Sequence, residues 1–353
     1  MSTQPGRSLG SRLKLVWIVL SLLGGVWLVR IIQENHMKAR IAEMPTKTVC
    51  VGRFLIDVPK QAIISFGRTR LAGWRISVDY DETESAFKTQ LLEKEKELRG
   101  QKNMKGWESL ESVTEIETAG VSGKVLVFNR KWAHHYEFGE RVETTSAAIL
   151  GFARTQGVSF QFRADYRDTK NVPGLVQIFK QLRTRDGNKI PTEPGFCFEN
   201  SLIADPLMAS QSESTVMFAG LPGHPDLAIA LSTTAGLKID RTLLQRDADG
   251  NFRQDYSSAI HNFRLGERTV NGFGGQELMD RVRERSGVTG HDFEWEAYSK
   301  KDSVFTPKIS LEMSTGHGRP GGPVQSSLSD VEAIALWDKM LSSLRLRPTA
   351  PSN

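Results

Sequence analysis

The chain has 353 residues, 39% hydrophobic and 25% charged, with a net charge of +5. That length exceeds one ordinary domain and suits two of about 150 residues each, and the composition argues against extensive disorder. The positive charge is spread along the chain without a basic block of interleaved aromatics, which argues against a nucleic-acid partner.

The N-terminus comes first. Leu15 to Val29 carries no charge, and Ile31 and Ile32 extend the run if Arg30 snorkels. Arg7, Arg12 and Lys14 precede it without an acid. This run is longer than a usual signal-peptide core and shorter than a full span of about 20 residues. No small-x-small cleavage site follows, and the first cysteine is residue 50, so there is no lipobox. Residues 1–33 are therefore read as a cytoplasmic leader and an uncleaved signal anchor, with a cleaved signal peptide as the alternative. The positive leader places everything after it in the periplasm. Residues 34–48, polar and interrupted by Pro45, read as a tether.

Val49 to Val58 reads as a first strand ended by Pro59, and Trp74 to Val78 as a second. Asp81 and Glu84 open a helix with Phe87, Leu91 and Leu98 on its apolar face. Lys124–Phe128, the Tyr136–Phe138 region and Val158–Phe162 follow as strands, and Leu175, Ile178, Phe179 and Leu182 mark a closing helix. Prolines and glycines make 187–194 a linker. The second half repeats the order, with strands at Phe196–Ile203, Leu227–Leu231, Glu277–Val282, Phe293–Tyr298 and Ile309–Met313. Ser329 and Glu332 form a capping box for a final helix that buries Ala333, Trp337, Met340 and Leu344.

The halves share more than their order. Cys50-x4-Leu55-Ile56-x2-Pro59 returns 147 residues later as Cys197-x4-Leu202-Ile203-x2-Pro206. Gly120-x-x-Gly123 is matched by Gly272-x-x-Gly275, and each half closes on Leu-Arg-x-Arg, at Leu182–Arg185 and Leu344–Arg347. The expected fold is α+β: two related domains, 49–186 and 195–349, each a mostly antiparallel sheet packed with helices, after the N-terminal membrane-spanning or signal segment. In an oxidising compartment the two cysteines could form a bridge between the domains. The other reading, that each is a small buried hydrophobe in its own strand, stays open.

A search for chemistry finds no catalytic set, cofactor motif or metal site. No Gly-x-Ser-x-Gly elbow is present. Gly120–Lys124 lacks the spacing and the Ser/Thr of a phosphate loop, and Gly272–Gln276 has no lysine, so both read as turns. Gly316–Gly322 is broken by Pro320 and fits no dinucleotide fingerprint. His134, His135 and Glu137 make the best metal-like cluster, but only His135 and Glu137 would share a strand face, and a site needs three or four ligands. His224, in a His-Pro-Asp turn, reads as a turn residue. No small-molecule substrate is implied.

Residues 50–59 (CVGRFLIDVP), 195–198 (GFCF), 221–227 (LPGHPDL) and 271–277 (NGFGGQE) resemble a known family, as do 310–316 (SLEMSTG), 319–322 (RPGG) and 335–338 (ALWD). This is the immunity family cognate to the fourth class of type VI secretion lipase effectors, and the resemblance spans about residues 48–348. It implies an envelope antitoxin that binds a phospholipase effector and blocks attack on membrane phospholipids. It further implies a steric mechanism, in which a cleft between the two domains locks the lid over the lipase active site. The competing readings are a membrane-anchored enzyme with a metal at His134, His135 and Glu137, and a structural envelope protein.

Overall fold

The computed structural model describes residues 9–118, 120–187, 189–205, 211–299 and 303–349, with the side chains of residues 9–24, 26 and 252 outside that description. A long helix, α1 (Leu9–Glu43), leads into the body. It contains the expected anchor, most of whose side chains lie outside the described residues. Among the described residues no helix is long and apolar enough to cross a membrane.

Residues 34–43 are not a slack tether: no helix breaker occurs before Pro45, so α1 continues to Glu43. Its C-terminal end is docked. Ile41 is buried, and Lys339 Nζ donates to the carbonyls of Ile41, Ala42 and Met44 at 3.0, 2.6 and 2.7 Å. A cation there satisfies carbonyls that have no partner within the helix and favours the negative end of its dipole.

The first half then runs β1 (Thr46–Val51), β2 (Phe54–Pro59), β3 (Ile63–Phe66), β4 (Thr69–Leu71), β5 (Trp74–Asp79) and α2 (Glu84–Gly100). It continues with β6 (Leu110–Thr118), β7 (Val121–Glu137), β8 (Glu140–Thr155), β9 (Val158–Arg167), α3 (Val172–Lys180) and β10 (Leu182–Thr184). The second half runs β11 (Gly195–Phe198), β12 (Ser201–Ala204), β13 (Glu213–Leu221), β14 (His224–Ala235), α4 (Leu243–Asp249) and α5 (Phe252–Asp255). Then come β15 (Ile260–Val270), β16 (Phe273–Arg283), β17 (Thr289–Ala297), β18 (Lys308–Ser314), α6 (Asp330–Ser343) and β19 (Arg345–Leu346).

Mostly antiparallel sheet with few helices is the expected class, but the halves do not have separate sheets. Thirteen strands form one sheet in the order β15-β16-β17-β18-β14-β13-β4-β5-β9-β8-β7-β6, with β3 also on β13. At the seam β13 pairs with β3 from Met217↔Phe66 to Gly220↔Ile63, and with β4 at Glu213↔Leu71 and Ser214↔Arg70. Each half would otherwise leave an edge of unpaired N–H and C=O groups; joining the edges satisfies both.

The Cys-containing openings also differ from the single strands expected. Each is a hairpin with a two-residue turn, Gly52-Arg53 or Glu199-Asn200, and its first turn residue is left-handed, at φ 61° and 46°. The two hairpins are exchanged between the halves. The first is completed by β19, with Arg345↔Leu55 and Leu346↔Phe54, and the second by β10, with Leu182↔Ile203 and Thr184↔Ser201. Packing follows the same exchange. Val51, Phe54, Ile56 and Val58 lie in the second-half core with Trp295, Trp337 and Leu341, whereas Phe196, Phe198 and Ile203 lie in the first-half core with Phe160, Phe162 and Phe179.

The Leu-Arg-x-Arg motifs make this exchange. The Arg185 amide donates to the Asn200 carbonyl, and its counterpart in Arg347 donates to that of Arg53, both at 2.9 Å. The buried Arg347 guanidinium also donates to the carbonyls of Pro191, Glu193 and Gly195, tying down the linker. Burial, with Arg53 and Arg185 nearby, lowers its pKa to about 10. The hairpins meet where Gly52 and Cys197 exchange backbone hydrogen bonds of 2.9 and 2.8 Å, and a disulfide joins Cys50 to Cys197 with a Cα separation of 5.9 Å.

Both exchanged hairpins, α3 and α6 cover one face of the long sheet. On the other face of the first half α2 buries Phe87, Leu91 and Leu98 against Leu126, Leu150 and Phe152. On that second face α4 and α5 lie over part of the second half, and the stretch between them and α2, at the seam, is the more open one.

A candidate partner surface across the seam

Pairing register fixes which side chains share the open face. Ser214 faces Arg70, Arg70 faces Arg75, and Arg75 faces Arg163, so β13, β4, β5 and β9 carry one cross-strand row with three arginines. Like charges placed opposite one another repel. Asp165 partly relieves this by accepting from Arg75 and, at 2.8 Å, from Arg163 Nε. Burial acts to raise the Asp165 pKa, but the two guanidinium groups outweigh it and hold the carboxyl below its ordinary range.

Arg70 is exposed and has no ion pair among the described residues. Arg167 adds a fourth guanidinium, stacked 5.0 Å from the Trp74 ring centre and donating to the Ala72 carbonyl. It passes so close to Gly73 that a Cβ there would lie 2.7 Å from its Nη1. Together these residues and the Ser212–Ser214 and Ala235–Leu237 segments line a hollow of about 480 Å³ shared by the two halves. Beside it the face is apolar, with Phe218 and Ile63 exposed at 45% and 67%. Arginines next to exposed apolar side chains are what well-defined protein interfaces are rich in.

Away from the seam the same face turns acidic. Glu294 lies opposite Glu312, and Asp292 opposite Asp280. Arg246, near the end of α4, reaches Glu294 and Glu296 at 3.4 and 3.0 Å, and Arg253 of α5 pairs with Asp280. Burial, then Glu296 and Glu312, raise the Glu294 pKa to about 7. Because the folded state holds that proton more tightly than the unfolded chain, stability falls as pH rises from about 4.5 to about 7. Glu294→Gln should therefore stabilise the protein by about 1–3 kcal/mol at pH 8 and leave it unchanged at pH 4. Urea unfolding at the two pH values checks this, and an equal effect at both would sink it.

The residues singled out by sequence are scattered. His134, His135 and Glu137 lie near the tip of the β7–β8 hairpin, where His135 Nε2 and Glu137 pair at 2.9 Å. Among the described residues no three His, Cys, Asp or Glu groups converge as a metal site. His224 Nδ1 and Ser327 Oγ are 2.8 Å apart, which fastens the β13–β14 turn to the loop before α6. Gly120 and Gly272 are left-handed residues of strand turns, and the Gly316 amide donates to Asp226. The seam arginines were missed because three separate strands, β4, β5 and β9, bring them together.

Two family models match the chain: the N-terminal domain of Tle cognate immunity protein 4 over residues 47–177, and its C-terminal domain over 189–349. The chain belongs to this immunity family. Solved structures agree in fold. The apo immunity protein TplEi of the type VI secretion system of Pseudomonas aeruginosa superposes with a TM-score of 0.71 at 24% identity, over 88% of this chain and all of that one. A chain of the Tle4-Tli4 complex gives 0.71 at 23% identity, over 86% and 98%. TplEi complexed with the "L" peptide gives 0.67 at 26% identity, over 86% and 99%. No curated protein matches the chain in sequence. Residues 178–188 lie between the two matched segments.

Proposed function

We propose that this immunity protein protects the periplasmic side of the inner membrane by binding its cognate type VI lipase effector and blocking the lid over the lipase active site. It acts as a stoichiometric inhibitor and not as an enzyme. The observation that carries this reading is the arginine-lined hollow at the seam of two halves that both match the immunity family. A surface built by two halves locked into one sheet is preorganised, so little ordering cost opposes binding. The solved Tle4-Tli4 complex supports the choice of partner.

Anchorage to the inner membrane is part of the proposal. The positive leader and apolar run motivate it, and α1 would carry that anchor stiffly into the body through Lys339 and Glu332. The decisive experiment is periplasmic co-expression of the lipase with and without this protein, together with gel filtration of the purified pair. Unchanged toxicity and no co-elution would defeat the proposal.

At residue level, Arg70→Glu should weaken binding about 10- to 100-fold, because charge reversal in a desolvated interface adds repulsion to the lost contact. Arg70 is exposed, so folding stability should stay within about 0.5 kcal/mol of the parent. Wild-type affinity in this variant would remove the seam from the interface.

A further inference from the structure

The longest strands of the protein extend past their sheet. β6 pairs with β7 only over Val121–Phe128, and β9 pairs with β8 only over Ala147–Thr155. Beyond a bulge at Asn129 and Arg130, the pairs from Lys131↔Ser146 to Glu137↔Glu140 belong to β7 and β8 alone. The result is a free two-stranded finger roughly 20 Å long. Arg130 braces its base, donating to both carboxylate oxygens of Glu111 and to Thr145 Oγ1.

Two-stranded hairpins are marginal by themselves and generally need packing to persist. This one instead displays its aromatics. Trp132, His134 and Tyr136 alternate onto one face, with the His134 and Tyr136 rings edge to face at 6.1 Å. Trp107 meets Trp132 at the base, and Lys105 Nζ lies 4.0 Å from the Trp132 ring centre. Tyr136 is 67% exposed, and Phe138 at the tip is fully exposed.

The tip carries the inference furthest. Phe138 and Gly139 form the two-residue turn with φ of 50° and 89°. That turn favours Asn-Gly, since both positions are left-handed and a bulky side chain is strained there. Phe138 thus occupies an unfavourable backbone position while its ring is left in water. Neither feature helps this chain fold. Both make sense if the ring is buried in something else.

Charge indicates what kind of partner. Around the tip stand Glu137, Glu140 and Glu143 against Arg141 alone, an acidic collar on a chain of net charge +5. An anionic bilayer would repel that collar, whereas an apolar protein pocket rimmed by lysine or arginine would attract it. We propose that the finger is a second contact arm, which inserts Phe138 and the Tyr136 face into such a pocket on the lipase effector, at a site separate from the seam. The inference rests on the immunity reading above.

Phe138→Asn tests it in the full-length protein, because the substitution installs the favoured turn. Its thermal midpoint should equal or exceed the parent's, while affinity for the purified lipase falls at least about thirtyfold, as expected for loss of an aromatic hot spot. Tyr136→Ser should weaken binding in the same direction. If Phe138→Asn binds like the parent while Arg70→Glu does not, the finger proposal falls and the immunity reading stands. If the parent itself forms no complex, both fall. Equal lipase binding combined with a loss of flotation on phosphatidylethanolamine–phosphatidylglycerol vesicles would also overturn it, by making the finger a membrane probe.

Discussion

Replacing both Cys50 and Cys197 by alanine should lower the unfolding free energy by about 2–5 kcal/mol. The bridge spans 147 residues, and the chain-entropy model places a loop of that size near the top of this range. Both cysteines are fully buried beside Leu55 and Leu202, so alanine introduces no polar group and only a small void. The bond also joins the two exchanged hairpins. Cutting it should therefore loosen both halves and not one alone. Urea unfolding of parent and double variant, each with and without reductant, makes the comparison. Reductant should bring the parent down to the variant's midpoint and leave the variant unmoved. A parent indifferent to reductant would contradict the expectation.

An effect of similar size is expected at Arg53, in the turn of the first hairpin. Its guanidinium is buried and makes two forked pairs: Nε and Nη2 donate to Glu213 at 3.0 and 2.8 Å, and Nη1 and Nη2 donate to Asp205, each at 3.1 Å. Burial opposes its charge, yet these carboxylates more than compensate and raise its pKa. Arg53→Met should cost about 3–5 kcal/mol at pH 7, mainly because Glu213 is left buried without a countercharge, with only the Gln211 amide donating to it. Burial already raises the Glu213 pKa above its ordinary value with Arg53 present. Removing Arg53 takes away the contacts that hold that pKa down, so the loss should be largest where Glu213 is ionised and shrink as the pH falls and Glu213 takes up a proton. Adding Glu213→Leu should recover much of the stability, since an apolar pair can replace a buried ionic one. A loss that did not vary with pH and was not rescued would point to packing instead of the ion pair.

Local signals carried much of the fold and little of the candidate surface. Ser329 and Glu332 do form the capping box of α6, and Phe87, Leu91 and Leu98 are the buried side of α2. Such features depend on residues three or four apart, which a sequence displays directly. The two Cys hairpins read as single strands because apolar residues flank turns of only two residues that lack an Asn-Gly pair. Their exchange was not visible, although the matched Cys and Leu-Arg-x-Arg frames marked the segments involved. Pairing Leu55 with Arg345 is a long-range choice that no local pattern encodes. The same applies to the face shared by Arg70, Arg75 and Arg163, which exists only once β4, β5 and β9 lie side by side.

The exchanged hairpins also set an order of events during synthesis. The first strands to leave the ribosome, β1 and β2, await α6 and β19, which are made last. Until then the N-terminal half presents an unfilled groove where β11 and β12 will settle, along with an unpaired edge on β3 and β4. Assembly is therefore postponed to chain completion, and it proceeds through contacts of long sequence separation, which form slowly. A nascent or truncated chain would expose strand edges and apolar surface throughout that wait. Newly made protein should thus depend on holding chaperones more heavily than its finished stability suggests.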